Sequence, residues 1–207
     1  MSGAASLRLY RWDWVSGNPP WVSCDEPAMQ VVNDWFEKGT AARNWTHPIL
    51  RQIKVGRKKL RPEALVGYDQ PVPQFSDVRV VSDRALAVVR PFLEGVAEVL
   101  PFAPHEAGQF WAVRFTRVID AFDEEHAEFD RYPSSGRVMH VFRWAFKPDL
   151  LPRDDRVFRI PLRYWPIVTQ PFVDAVQAAK LTGFRFHLLW DESLKVQPDQ
   201  RNNTWAQ

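Results

Sequence analysis

Proline sets the first limit on this chain. Seventeen prolines occur among 207 residues, and each removes a backbone donor and clashes with a preceding helical turn. Long helices are therefore excluded, and the chain must be assembled from short elements joined by turns. Between the prolines, 45% of the residues are hydrophobic, which suits one globular domain with a sizeable core. We place that domain at residues 1–190 and read 191–207, "DESLKVQPDQRNNTWAQ", as a polar, mobile tail in which only Trp205 is a candidate to dock.

The elements are read from punctuation and period. "LRLYRWDWV" (Leu7 to Val15) predicts a strand, and "SGNPPW" a loop. "EPAMQVVNDWFEKG" predicts a short helix, with Pro27 in its first turn, Gly39 at its stop, and Val31, Val32, Trp35 and Phe36 as its apolar face. Residues 40–80 predict one or two short strands in irregular backbone. In "VVSDRALAVVRPFLEG" Ser82 is the N-cap, Asp83 sits in the first turn, Leu86, Val89 and Leu93 share a face, and Gly95 closes the helix. Pro91 must kink that helix or end its regular part. Strands follow at "AEVLPF", at Phe110 to Ile119 (half-buried, with Trp111, Val113 and Phe115 inward), at Arg137 to Phe146 (Val138, His140, Phe142, Trp144 and Phe146 on one side), and at "RVFRIPL". The last unit, "FVDAVQAAKLTGFRFHLLW", starts as a helix capped by Thr169, with Pro171 in its first turn and Phe172, Val173, Val176 and Ala179 buried. It closes at Gly183 and ends as a strand with Phe184, Phe186, Leu188 and Trp190 facing one way. This unit repeats the order cap, helix, glycine, strand of residues 81–102. Both helices are expected against one sheet, which gives an α+β fold, mostly antiparallel, with a few short helices packed on it.

Charge and cysteine content exclude several classes. With 27 basic and 25 acidic side chains the formal net charge is only +2, so neither general nucleic-acid binding nor membrane-surface binding is implied. Cys24 is the single cysteine, which excludes an internal disulfide and any multi-cysteine metal centre. The N-terminus lacks the apolar core of a signal peptide, and no run approaches the ~20 apolar residues of a membrane helix. The expected location is cytoplasmic. Ten tryptophans are read first as core, and second as the surface of a carbohydrate or peptide reader.

A search for chemistry returns little. Neither a nucleophile elbow nor a phosphate-cradling glycine loop is present. The acids beside Cys24, Asp25 and Glu26, disfavour its thiolate. None of the five histidines has a helical i, i+4 partner; the enzyme alternative is a metal-dependent hydrolase in which the strand residues His140 and His187 meet Asp120. Two charge runs remain. "DAFDEEHAEFD", a predicted loop, holds Asp120, Asp123, Glu124, Glu125, Glu128 and Asp130 without a Lys or Arg. "RQIKVGRKKLR" holds Arg51, Lys54, Arg57, Lys58, Lys59 and Arg61 without an acid. Each is either a solvated surface or a partner-binding patch.

The segments "VVSDRALAVVRPFLEGVAEVLPF", "FWAVRFTRVIDAFDEEHAEF", "VFRIP" and "FVDAVQAAKLTGFRFHLLW" resemble, in order and style, a bacterial immunity-protein family of polymorphic toxin systems. The resemblance runs over residues 80–190. Val118-Ile119-Asp120 and Leu181-Thr182-Gly183-Phe184-Arg185 carry most of it, while the first 75 residues match loosely. It implies an α+β protein that needs no cofactor or catalytic residue and that binds a cognate toxin domain. The acidic residues Asp120 to Asp130 are then the candidate contact surface, with the basic run as the mirror alternative.

Overall fold

The computed structural model describes residues 6–16, 19–39, 45–55, 62–75 and 78–200. Among them, eleven strands and three α-helices follow one another as β1 (Arg8–Trp14), β2 (Trp21–Ser23), α1 (Glu26–Lys38), β3 (Arg51–Ile53), β4 (Val72–Pro73), β5 (Arg79–Ser82), α2 (Asp83–Leu93), β6 (Ala97–Pro101), β7 (Phe110–Phe115), β8 (Glu128–Arg131), β9 (Val138–Arg143), β10 (Ile167–Thr169), α3 (Gln170–Ala178) and β11 (Phe184–Asp191). They form four small sheets, ordered β10-β1-β11, β3-β2-β4, β5-β7-β6 and β8-β9. Among the described strand pairs only β2–β4 is parallel. The fold is α+β and mostly antiparallel, as the sequence predicts.

The two cap–helix–glycine–strand units share a topology. In each, a strand, a helix and a second strand flank a third strand that pairs antiparallel with both. In the first unit β5 and β6 flank β7. In the second, β10 and β11 flank β1, which comes from the far N-terminal part of the chain. Each is a split βαβ unit. The helices therefore belong to two sheets, not to one as expected. α2 and α3 face each other in the layer between those sheets, where Leu86, Val89, Phe172, Val173 and Val176 meet Trp12 and Val113.

Three hydrophobic clusters make up the core. The middle one is this helical layer. The second packs Leu9, Ile167 and Trp190 against Phe122, Trp144, Phe146 and Phe158. The third packs α1, through Val32 and Trp35, against Val80, Phe110 and Ala112. β7 is the wall between two of these clusters: Val113 and Phe115 serve the middle one, Phe110 and Ala112 the third. The half-buried strand expected at Phe110–Ile119 is thus shorter and buried on both faces, because the α2–α3 layer covers one face and the cluster built on α1 the other.

Local chemistry explains the helix ends. The Asp25 side chain caps α1 by accepting from the Ala28 amide, and Gly39 closes it at φ 62°. Ser82 Oγ caps α2 by accepting from the Ala85 amide. Pro91 lies in the last turn of α2, which ends two residues later, and Gly95 follows at φ 70°. Thr169 stands at the N-cap of α3, but its hydroxyl makes no capping bond. Gly183 does not close α3; Lys180 takes the left-handed conformation there, at φ 50°.

Alternation also breaks where ladders slip. The β1–β11 register shifts between Leu9, opposite Trp190, and Tyr10, opposite Leu188. Phe184 and Phe186 therefore face the middle cluster while Leu189 and Trp190 join the second. β9 buries Val138 and Val141 and leaves His140 and Phe142 half-buried, since two register shifts interrupt its ladder with β8. "RVFRIPL" contributes only two isolated bridges, at Phe158 and Arg159. The stretch after β11 is held at least to Gln200: the Gln200 amide donates to the Phe142 carbonyl at 2.7 Å and its side chain to the Leu188 carbonyl at 3.1 Å. Trp205 lies outside the described residues.

Candidate functional site

The acidic run is folded more firmly than a loop of charges requires. Phe122 pairs with Phe146 in an antiparallel bridge, and the Asp123 amide donates to the Ala145 carbonyl at 3.0 Å. A turn over Glu124 to His126 follows, then β8, which carries Glu128 and Asp130. Under this segment lies an aromatic cluster. The Phe122 ring sits 5.5 Å from Trp144 and 5.8 Å from Phe129, and Trp144 sits 5.4 Å from Trp165. Edge-to-face rings of this kind fix the backbone above them.

Asp123 is the keystone of the turn. Its carboxylate accepts from the Glu125 amide at 3.1 Å and contacts His126 Nδ1 at 2.8 Å. Partial burial pushes its pKa up, but the bonds from His126 and the Glu125 amide prevail and hold the carboxyl below the usual range. Glu124 pairs with Arg131 at 2.6 Å, and Glu128 pairs with Arg143, which also reaches Asp199 at 3.0 Å. The run expected to be dense in unpaired acids is therefore partly neutralised by arginines of the same hairpin. Asp120, Glu125 and Asp130 make no ion pair among the described residues and face solvent or sit at its edge. Sequence reasoning missed Arg131 and Arg143. Arg131 directly follows the run and was the available signal, whereas Arg143 comes beside Glu128 only through the hairpin register.

The metal alternative is not assembled. His140 lies on β9, His187 on β11 and Asp120 in the connection after β7, and they form no ligand cluster. The one group of three candidate ligand atoms within 4.8 Å of one another, among the described residues, is Asp123, Glu125 and His126. It is an exposed turn whose His126 nitrogen already serves Asp123. His187 sits 3.8 Å from Asp13, and burial followed by the nearby Arg185 lowers its pKa, which favours the neutral ring. Cys24 is buried; burial and Asp25 push its thiol up to about 11, which makes it a poor nucleophile.

The other expected surfaces are less complete. Of the basic run, Arg51 lies on β3 and Lys54 just beyond it, both exposed. Arg57, Lys58, Lys59 and Arg61 lie outside the described residues. None of the nine tryptophans within the described residues is exposed; Trp12, Trp35, Trp144 and Trp190 are core. That distribution does not form a carbohydrate-reading face. No helix among the described residues is long and apolar enough to cross a membrane.

No curated protein matches the chain. The profile of one family does, over residues 70–189. That span covers more than half of the sequence and contains both helix–strand units and the whole acidic run, in agreement with the resemblance carried by residues 80–190. The chain belongs to the immunity protein family Imm11.

Proposed function

We propose that this protein neutralises a cognate toxin domain of a polymorphic toxin system by binding it, without covalent chemistry, in the cytoplasm of the producing cell. Family membership over residues 70–189 carries this reading. An inhibitor of this kind needs a rigid surface complementary to one partner, with a few strong anchors at its centre.

The acidic segment is the proposed contact. Asp120, Glu125 and Asp130 supply free negative charge, while Asp123, Glu124 and Glu128 hold its shape through His126, Arg131 and Arg143. Such a patch fits a basic, substrate-binding cleft, and opposite charge accelerates encounter. The test is a triple variant, Asp120→Lys, Glu125→Lys and Asp130→Lys, which spares the residues that build the turn. With the toxin domain encoded beside this protein, association at low salt should slow by about tenfold or more, and co-expressed cells should lose protection. Unchanged association kinetics with full protection would remove this surface from the mechanism.

A further inference from the structure

The tip of the β8–β9 hairpin carries a second feature, of opposite charge to the acidic segment. An open notch of about 480 Å³ is lined by Tyr132, Ser134, Ser135, Arg137, Met139 and Arg163. Arg163 comes from the turn before β10 and is half-buried. Among the described residues its guanidinium donates only to main-chain carbonyls, to Leu162 at 2.9 Å and to Met139 at 3.1 Å, and it lies 6.0 Å from the centre of the Trp144 ring. Neither Arg163 nor Arg137 has an ion pair among the described residues. Burial and the nearby Arg11 lower the pKa of Arg163, and no carboxylate offsets them. A guanidinium that is partly desolvated, held by two carbonyls and left without a counter-ion is prepared for an anion: its position is already fixed, and an entering charge meets weakened solvent competition.

We propose that this notch takes a carboxylate, supplied by an acidic side chain of the protein partner. Arg163 forms the floor contact and Arg137 the rim contact, and the hydroxyls of Ser134 and Ser135 are the remaining donors. The mixed lining favours a carboxylate on a methylene stem over a wholly polar anion. Met139 and the half-exposed Tyr132 ring give the stem apolar surface, and the planar fork of Arg163 suits two carboxylate oxygens. That a toxin provides the side chain rests on the function proposed above; the site itself does not.

The test uses the full chain without toxin. N-acetyl-glutamate N-methylamide is titrated while the backbone amides of residues 132–139 and 163 are followed by NMR, with the glutamine analogue and inorganic phosphate as separate titrants. Saturable shifts confined to these amides are expected for the glutamate probe, with a Kd of about 1–10 mM. They should weaken at least about tenfold in Arg163→Gln and a few-fold in the exposed Arg137→Gln, which keeps the test sound if the first variant does not fold. Equal shifts from the glutamine analogue, tighter binding of phosphate, or no saturable shift would each overturn the carboxylate site. If the probe binds as expected but neither variant weakens toxin capture, the site stands and its assignment to the toxin fails.

Discussion

At Gly183 the fold leaves no room for a β-carbon. The residue has φ 90°, and a Cβ there would lie 2.4 Å from the Gln70 carbonyl oxygen and 2.7 Å from the Tyr68 ring. The sequence marked this glycine as a helix stop; its actual duty is close approach between the α3–β11 turn and residues 68–70. Asp69 locks the same junction. It is buried, accepts from Ser82 Oγ at 2.8 Å and the Thr182 amide at 2.8 Å, and pairs with Arg84. Next to it, Gln70 accepts from the Trp12 indole and donates to the Asp13 carbonyl at 3.2 Å. Gly183→Ala should therefore cost about 3 kcal/mol, from positive φ and overpacking together. Urea unfolding would show it as a lower midpoint with an unchanged slope; a loss below about 1 kcal/mol would mean that the junction yields easily.

At the scale of elements, the helices and the longer strands were legible because capping residues and apolar period are local properties. Ser82, Gly39 and Gly95 perform at the ends of α1 and α2 what their chemistry suggests, while the Asp25 cap of α1 was not read from the sequence. The short strands β2 and β10 were not legible, and β4 only as one of the short strands expected without a place in residues 40–80. They have two or three residues each, too few to show a period, and their partners lie far away in sequence, as Leu9 does from Thr169. The double burial of β7 was hidden for a related reason: alternation reports which face a side chain takes, but not what covers that face. β1 has the largest structural consequence. It sits at the centre of its sheet although the family match begins at residue 70, so the matched segment is incomplete without it. Removing residues 1–15 should abolish cooperative unfolding and expose the amides of β11 to rapid hydrogen exchange. A truncated chain that keeps a sharp transition and slow exchange at Phe184–Asp191 would show β1 to be dispensable.

For the whole molecule, the near-balance of charge, which implied no general nucleic-acid or membrane binding, is resolved into local pairs. Glu192 is held down to about 2 by Arg153 and the Leu7 amide. At Asp69 burial works upward, but the bonds from Arg84, Thr182 and Ser82 hold the carboxyl low. At Asp191 burial is likewise outweighed, by Ser193 and Arg8. A carboxyl lowered in the folded state binds fewer protons than its unfolded counterpart, so its stabilisation is complete above the unfolded pKa, about 4, and disappears as pH falls through the folded one. Stability should begin to fall below about pH 6.5, where the lowered pKa of His187 acts in the same sense, and decline further from about 4.5 toward 2. Arg153→Gln should flatten that decline, as read by urea titrations at each pH; an unchanged slope would show that Glu192 is not among its sources. The candidate site was legible only as a composition. The acids could be counted from the sequence, but their partition into free and paired groups depends on a hairpin register that no residue announces by itself.

The place of β1 also sets a timetable. Arg8 and Asp191, its partner at 2.7 Å, stand 183 positions apart in the chain. A growing polypeptide on the ribosome cannot finish that sheet until Asp191 has emerged, and such distant closure is slow to form. Until then β1 lacks its neighbours β10 and β11 and both of its edges stay open.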